Sequence, residues 1–357
     1  MAPPATETVP RLRPVAQEPA VTLLRAAAAV LLCYAYLIGL WITEHDRYLG
    51  LVDVLRRWVN QPFGLGEDFG GFASMLLLAV SGYLAAHSTG ARLARLLAPV
   101  PIAALLAAGL LALGAPVWTQ PDAGASPVAE LVGAGLLVGP LIPELTALLP
   151  LGSLVLLACA GTLAAAATNW LPRRLRWLSP LLQLAIAAAL VVAGAAVDAL
   201  SAVALLASWY PMVIVGQVIY LNRGRALPAW LAVLYAGGCW ALIAVAEPLL
   251  PPLTGWWYPV AAAFAGLLVA VTVLMQGRTV ASFAANPAIR WASTRVWQLA
   301  LLIGPVGWPL LNGLDAAGLP LPLNIALATA GLVIAAELLY WLLYFAWLTV
   351  GRRWEPA

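Results

Sequence analysis

The sequence predicts an all-α, polytopic integral membrane protein, and three observations predict it. The first is composition: of 357 residues, 63% are hydrophobic and only 9% are charged, and the mean hydropathy is +0.93. Soluble domains carry roughly 25% charged residues. A chain this apolar cannot keep its surface wet and must use lipid as solvent, which excludes a soluble enzyme or a nucleic-acid-binding protein. The second is that apolar residues fall into ten runs of bilayer-crossing length. The third is the placement of the basic residues, which number 18, all of them Arg.

Taken in chain order, residues 1–19 are Pro-rich and polar, with Glu7, Arg11, Arg13 and Glu18, and read as a disordered tail. A helix that spans lipid needs about 20 mostly apolar residues. The ten runs are about 20–43, 69–87, 98–115, 145–169, 179–197, 200–221, 227–246, 257–276, 296–312 and 323–349. The first is longer than the roughly 7–15 residues of a signal-peptide core, so it reads as an uncleaved anchor. The fifth and sixth are divided only by Val197-Asp198-Ala199-Leu200, the weakest of the boundaries. Leu131–Pro143 is apolar but too short to cross and reads as re-entrant or interfacial. A short tail, 351–357, closes the chain.

Threading ten crossings from a cytoplasmic N-terminus puts 15 of the 18 Arg on the inner side: Arg11, Arg13, Arg25, Arg92, Arg95, Arg173, Arg174, Arg176, Arg223, Arg225, Arg278, Arg290, Arg295, Arg352 and Arg353. Only Arg47, Arg56 and Arg57 fall outside. Cytoplasmic segments carry the Arg excess, so the partition predicts both termini inside. Glu44, Asp46, Asp53, Glu67, Asp68, Asp122, Glu130, Glu144, Asp198, Glu247 and Asp315 fall outside or at the outer boundary and make that face electronegative. Trp41, Trp118, Trp170, Trp177, Trp256, Trp257 and Trp291 sit near run ends, as an interfacial aromatic belt requires. Fixed-period repeats and paired Gly/Pro-broken helices are not evident, which disfavours a transporter. Cys33, Cys159 and Cys239 lie inside apolar runs, without disulfide or metal-ligand spacing.

Three local patterns then stand out. The first run contains Leu23-Leu24-Arg25-Ala26-Ala27-Ala28-Ala29-Val30-Leu31-Leu32-Cys33-Tyr34-Ala35-Tyr36. The second ends Leu78-Ala79-Val80-Ser81-Gly82-Tyr83-Leu84 and is followed by Arg92-Leu93-Ala94-Arg95-Leu96-Leu97-Ala98-Pro99. The sixth carries Trp209-Tyr210-Pro211-Met212 and then Gly216. Together they resemble the membrane-bound acyltransferase-3 family, across nearly the whole chain. In that family an Arg in the first span is followed eleven positions later by a His, and the second span ends in a Ser-Gly-aromatic turn followed by basic residues and a Pro. The resemblance implies a ten-span fold. It also implies transfer of an acyl group from cytoplasmic acyl-CoA to an extracytoplasmic glycan or lipid hydroxyl. The chain departs from the pattern at Tyr36, which stands where the His should be, and at Gly304, in the region of the family's ninth-span His.

Such a transfer needs a base near the hydroxyl and a group that steadies the thiolate or oxyanion. Tyr, with a pKa near 10, is a poor base at pH 7. Arg25 and Tyr36, eleven residues apart, share one helix face about 16 Å apart along the axis. Arg25 reads as an anchor for a phosphate or thioester, or as a snorkelling Arg. Tyr36 reads as a packing and interhelical hydrogen-bonding residue, or as a stand-in at the catalytic position. His45, between Glu44 and Asp46, is either a solvated loop His or a replacement base at the outer edge. His87 closes the second run and is either a helix C-terminal His or, with Arg92 and Arg95, a contact to a CoA phosphate. Glu337 is the sharpest intramembrane charge, near the middle of the tenth run; it is either a site carboxylate or proton relay, or a polar staple between helices. Gln183, Gln217, Gln298, Asn312 and Asn324 read as interhelical hydrogen-bonding groups.

The leading expectation is therefore a divergent acyltransferase-like protein of a bacterial-type plasma membrane, with acyl-CoA as donor, no metal, and a cavity joining the Arg25 side to the outer face. Two rivals stand beside it. One is an inactive relative serving as a structural or partner-binding subunit of an envelope complex. The other is a small-molecule or lipid carrier that uses Glu337. Beyond membrane lipids, the partners implied are a glycan or lipid acceptor or another membrane protein, and no nucleic acid.

Overall fold

The computed structural model describes residues 18–351 apart from 66–67, 88–89, 119–126, 138, 142–147, 173–174 and 254–257. Among the described residues the protein is all-helical. Each of the ten apolar runs becomes a helix: α1 Pro19–Glu44, α2 Gly70–Ala85, α3 Arg92–Ala112, α4 Gly152–Asn169, α5 Leu178–Ala196, α6 Asp198–Arg223, α7 Ala229–Leu249, α8 Tyr258–Leu274, α9 Pro287–Ala316 and α10 Leu321–Gly351. Seven of them are long and apolar enough to cross a membrane, or eight if α8 and the helix Arg278–Ala285, bent from it by 105°, count as one span. This is the make-up of a multi-pass membrane protein.

Of the two shorter apolar helices, α2 and α4, the first has a structural reason for its length. Sixteen residues of α2 rise about 24 Å, less than the roughly 30 Å hydrocarbon core. Protein surrounds α2 instead of lipid: α1, α4, α6 and α8 all pack on it, and Met75, Leu76, Leu77 and Leu78 are buried on every side. Apolar surface alone does not hold helices together in lipid, so close backbone approach does much of the packing. The tightest crossing is α2 on α6. A Cβ on Gly82 would lie 1.9 Å from the Val213 carbonyl oxygen, and one on Gly216 would lie 1.8 Å from that of Ala79. The two motif glycines therefore meet at one crossing.

Polar residues within the helices are tied between elements. Gln183 of α5 donates to Gln217 of α6 (2.9 Å) and accepts from Tyr210 (2.7 Å), while Gln217 donates to the Gly161 carbonyl of α4 (3.2 Å). Contacts between helix ends fit up-and-down alternation. The start of α1 meets the ends of α2, α6 and α8 through Glu18, and the start of α2 meets the latter half of α1 through Ser74 and Tyr36. We name the two ends of the bundle the Glu18 pole and the Trp118 pole.

Several sequence expectations shift. Helix α1 begins at Pro19 and Glu18 holds partners, while the rest of the expected tail, residues 1–17, lies outside the described residues. Trp41, read as a belt residue, is fully buried because its indole N–H donates to Asn312 Oδ1 at 2.7 Å. Several helices are interrupted where none were anticipated as broken. A π-helical turn covers Cys33–Gly39 in α1 and another Ile303–Gly307 in α9, and α6 breaks at Tyr210-Pro211. The weak boundary at 197–200 is a true break, with Val197 extended and a 3-10 turn at Asp198–Leu200. The segment Leu131–Pro143 lies partly in a short helix, Pro127–Gly135, and a turn at Gly139–Leu141. Glu7, Arg11, Arg13, Glu67, Asp122, Glu144, Arg173, Arg174, Trp256, Trp257, Arg352 and Arg353 lie outside the described residues.

Candidate functional site

At the Glu18 pole, Arg25 projects from the second turn of α1 and Arg92 from the first turn of α3. Their charges are close enough to repel, and Arg92 also interacts electrostatically with the thiol of Cys159 on α4. Arg92 Nη1 is buried and has no hydrogen-bond partner among the described residues. The ion pairs of the described residues involve neither guanidinium. Burying cationic groups in a low-dielectric interior is costly unless an anion or a set of acceptors repays it. A buried guanidinium nitrogen without a partner, in electrostatic range of a second guanidinium and with no acid paired to either among the described residues, is matched to phosphate or to a developing oxyanion.

The other two residues assigned to donor binding stand apart from this pair. Arg95 is exposed on the turn after Arg92. His87 is exposed and pairs through Nδ1 with the Tyr220 hydroxyl at 3.2 Å. It belongs to a second cluster, centred on Glu18, which sequence reasoning missed. Glu18 Oε2 accepts from Arg223 Nη1 (2.5 Å), the Tyr83 hydroxyl (3.1 Å) and Gln276 Nε2 (3.2 Å). The only local hint was an acidic residue directly ahead of a Pro that opens an apolar run.

Toward the Trp118 pole, Tyr36 sits inside the π-turn of α1. Its hydroxyl shares a 3.3 Å hydrogen bond with Ser74, and its ring stacks on Trp118 with centroids 5.8 Å apart. A π-turn frees a backbone carbonyl from the helix ladder; here Trp308 Nε1 donates to the Tyr36 carbonyl at 2.9 Å. Trp118 stacks in turn on Trp308, 5.1 Å away and within 13° of parallel. Gly304, in the π-turn of α9, accepts from the Trp118 backbone N–H at 3.4 Å. Tyr36 and Gly304 therefore meet one tryptophan, Trp118.

His45 continues this aromatic column, stacked on Trp41 at 4.4 Å and tilted against Trp308 at 6.0 Å. Its Nδ1 faces the Trp41 carbonyl at 3.0 Å. A carbonyl only accepts, so Nδ1 donates this hydrogen bond. His45 is nine residues beyond Tyr36, so the column does not bring it to the Arg25 pair: twenty helical residues, about 30 Å, separate the two.

Glu337 lies apart from all of these. Arg295 of α9 grips it with two hydrogen bonds (2.9 and 3.0 Å), and the indoles of Trp291 and Trp341 add one each (2.7 and 2.8 Å). The Arg295 guanidinium also covers the Tyr340 ring at 3.7 Å. Arg295 is thus a helix–helix tie and not a loop cation. The i,i+4 spacing of Trp291 with Arg295, and of Glu337 with Trp341, was the available hint, because it puts each pair on one helix face.

Two hollows lie elsewhere. An apolar groove of about 410 Å³ runs between α3, α9 and α10 past Ile102, Leu106, Leu302 and Leu338. A hollow of about 150 Å³ is bounded by Ser153, Leu205, Trp209 and Tyr258. Neither joins Arg25 to Tyr36. Compared with known proteins, the chain matches no family model, no curated protein and no solved structure.

Proposed function

We propose that this protein is a ten-span protein of a bacterial-type plasma membrane with both termini cytoplasmic, and a divergent relative of the acyltransferase-3 enzymes. It takes its acyl group from cytoplasmic acyl-CoA and passes it to an extracytoplasmic glycan or lipid hydroxyl. The observation that carries the reading is the buried, unpartnered Arg92 Nη1 at the Glu18 pole, in electrostatic range of Arg25 and with no acid paired to either among the described residues. On this reading the Glu18 pole is cytoplasmic and the two guanidiniums meet the phosphate or thioester end of the donor. Transfer forms an ester bond to the acceptor oxygen and breaks the thioester C–S bond; the hydroxyl proton ends on the departing thiolate, which leaves as free CoA.

A second reading is favoured by the packing of Tyr36. A phenol bonded to Ser74 and stacked on Trp118 is not poised as a base. The chain then binds the donor without transferring it, as a structural or partner-binding subunit of an envelope complex. The carrier reading has weaker support, because the carboxylate it needs is already met by four donors.

The test is made on the full-length protein in proteoliposomes. Binding of labelled acyl-CoA and its transfer to added glycan or lipid acceptors are measured in parallel. Binding and transfer that both fall on Arg25→Ala support the enzyme. Binding without transfer supports the second reading, and the absence of binding removes both. Cysteine labelling from either side fixes the sense: a terminus labelled only from outside would overturn the threading.

A further inference from the structure

Glu18 is the last residue before α1, yet three helices other than its own direct donors at one of its oxygens. Tyr83 comes from the end of α2, Arg223 from the end of α6, and Gln276 from just beyond α8. Arg223 also donates to the Tyr83 hydroxyl, which orients that phenol toward the carboxylate. Tyr220 packs edge-on against Tyr83 with centroids 5.5 Å apart, and its own hydroxyl meets His87. Tyr83 is buried, and the Glu18 side chain is only 14% exposed. Removed from this setting, the carboxylate would leave a guanidinium, a phenol and a carboxamide aimed at one point. That is the donor set of an oxyanion cradle, here filled by the chain's own acid.

The cradle also lies ahead of Arg25 along α1. Arg25 follows Glu18 by seven residues, about 10 Å along α1, so the filled cradle lies nearer the Glu18-pole surface than the Arg25–Arg92 pair. An anion moving from that surface toward the pair passes Arg223 first.

We propose that Glu18 is the resident occupant of an anion-binding site and that a phosphomonoester on the incoming ligand competes with it for Arg223. Displacing Glu18 also releases the start of α1 from the ends of α2 and α6 and from the segment after α8, so ligand arrival and loosening of these helix ends are one event. This rests on the acyl-CoA reading, which supplies a ligand with one phosphomonoester, the 3′-phosphate, set apart from its diphosphate. The diphosphate end continues to Arg25 and Arg92, whose charges Glu18 does not neutralise.

The experiment measures binding of CoA and of dephospho-CoA, which lacks the 3′-phosphate, to the full-length protein in nanodiscs. Glu18→Gln keeps the shape and removes the charge, and is expected to tighten CoA binding about tenfold, one charge-assisted contact's worth. Dephospho-CoA binding should stay within about twofold of wild type. Glu18→Ala should repeat the gain, and thermal unfolding checks that both variants fold. Arg223→Gln should abolish the preference for CoA over dephospho-CoA. Equal gains with both ligands overturn the phosphomonoester assignment. Unchanged CoA affinity in both Glu18 variants, with binding still lost in Arg92→Ala, overturns the competition and leaves the donor reading intact. Failure of every variant to bind CoA overturns the two together.

Discussion

At the Trp118 pole, Arg47, Arg56 and Arg57 each meet a carboxylate of their own, on Asp315, Asp68 and Asp53. At the Glu18 pole, Arg25 and Arg92 lie in electrostatic range of each other, and neither is paired with an acid among the described residues. The sequence placed those three arginines outside as exceptions to the basic-inside pattern, and their pairing explains how an electronegative face tolerates them. Charge that is compensated inside the chain holds the chain together. Charge left without an acid among the described residues is what the proposed donor site rests on.

Irregular backbone makes the same point. Two π-turns converge near Tyr36 and Gly304, and such turns often mark functional sites. Here the protein fills the gap itself: Trp308 takes the Tyr36 carbonyl, and Arg56 reaches the Gly39 carbonyl at 3.2 Å. Trp118 occupies the space between the helices. The Trp118 pole is a packed aromatic closure, and the Glu18 pole holds the open valences.

The comparison breaks most visibly where it depends on the crossing that holds both poles in register. Gly82→Val or Gly216→Val drives a side chain into a facing backbone and should cost about 3 kcal/mol or more, read as loss of folded protein in fluorescence-detected size exclusion. A well-folded variant would mean that the α2–α6 crossing is looser than its geometry. Next in size are Arg25→Leu and Arg92→Leu. Each should weaken acyl-CoA binding roughly 10- to 100-fold, the worth of a charged hydrogen bond. Neither should lower the unfolding temperature, since neither is paired with an acid among the described residues. A drop in stability would show that these guanidiniums are structural after all.

Glu337→Gln is the counter-case. It leaves Arg295 without its charge partner and should destabilise by about 1–2 kcal/mol, below the figure for a fully buried pair because the carboxylate is about one-third exposed. Acyl-CoA binding should not change; a change would bring the pair into the functional site. Smallest is the pair of substitutions at the Trp118 pole. Trp118→Ala should cost about 1–2 kcal/mol through lost stacking, and His45→Ala under about 0.5 kcal/mol, both with donor affinity unaltered. A loss of donor affinity in His45→Ala would tie the two poles together and overturn the division drawn between them.

Much of the fold was legible in the sequence. All ten apolar runs became helices, and even the four-residue boundary at Val197–Leu200 held, because a break between lipid-embedded helices must be written locally in turn-forming residues. The candidate site was legible only in part. Arg25 and Arg92 stood out as basic residues at run starts, but their convergence joins two helices 67 residues apart in sequence. Tyr36 was readable as a departure from a motif, whereas Ser74, Trp118 and Trp308 around it were not. Arg295 looked like a loop cation until α9 began at Pro287 and carried it into the bundle beside Glu337.

What the amino-acid order alone determined was the solvent, the class and the list of helices. Lipid demands that each crossing be continuously apolar and satisfy its own backbone, and both are short-range properties of the chain. What only the tertiary structure decided was which polar groups find one another. Glu18 meets Arg223 across 205 residues, Trp41 meets Asn312 across 271, and Arg25 and Arg92 meet no acid among the described residues. A charge's partner is chosen by helix packing, and packing among small residues leaves almost no periodic trace in sequence.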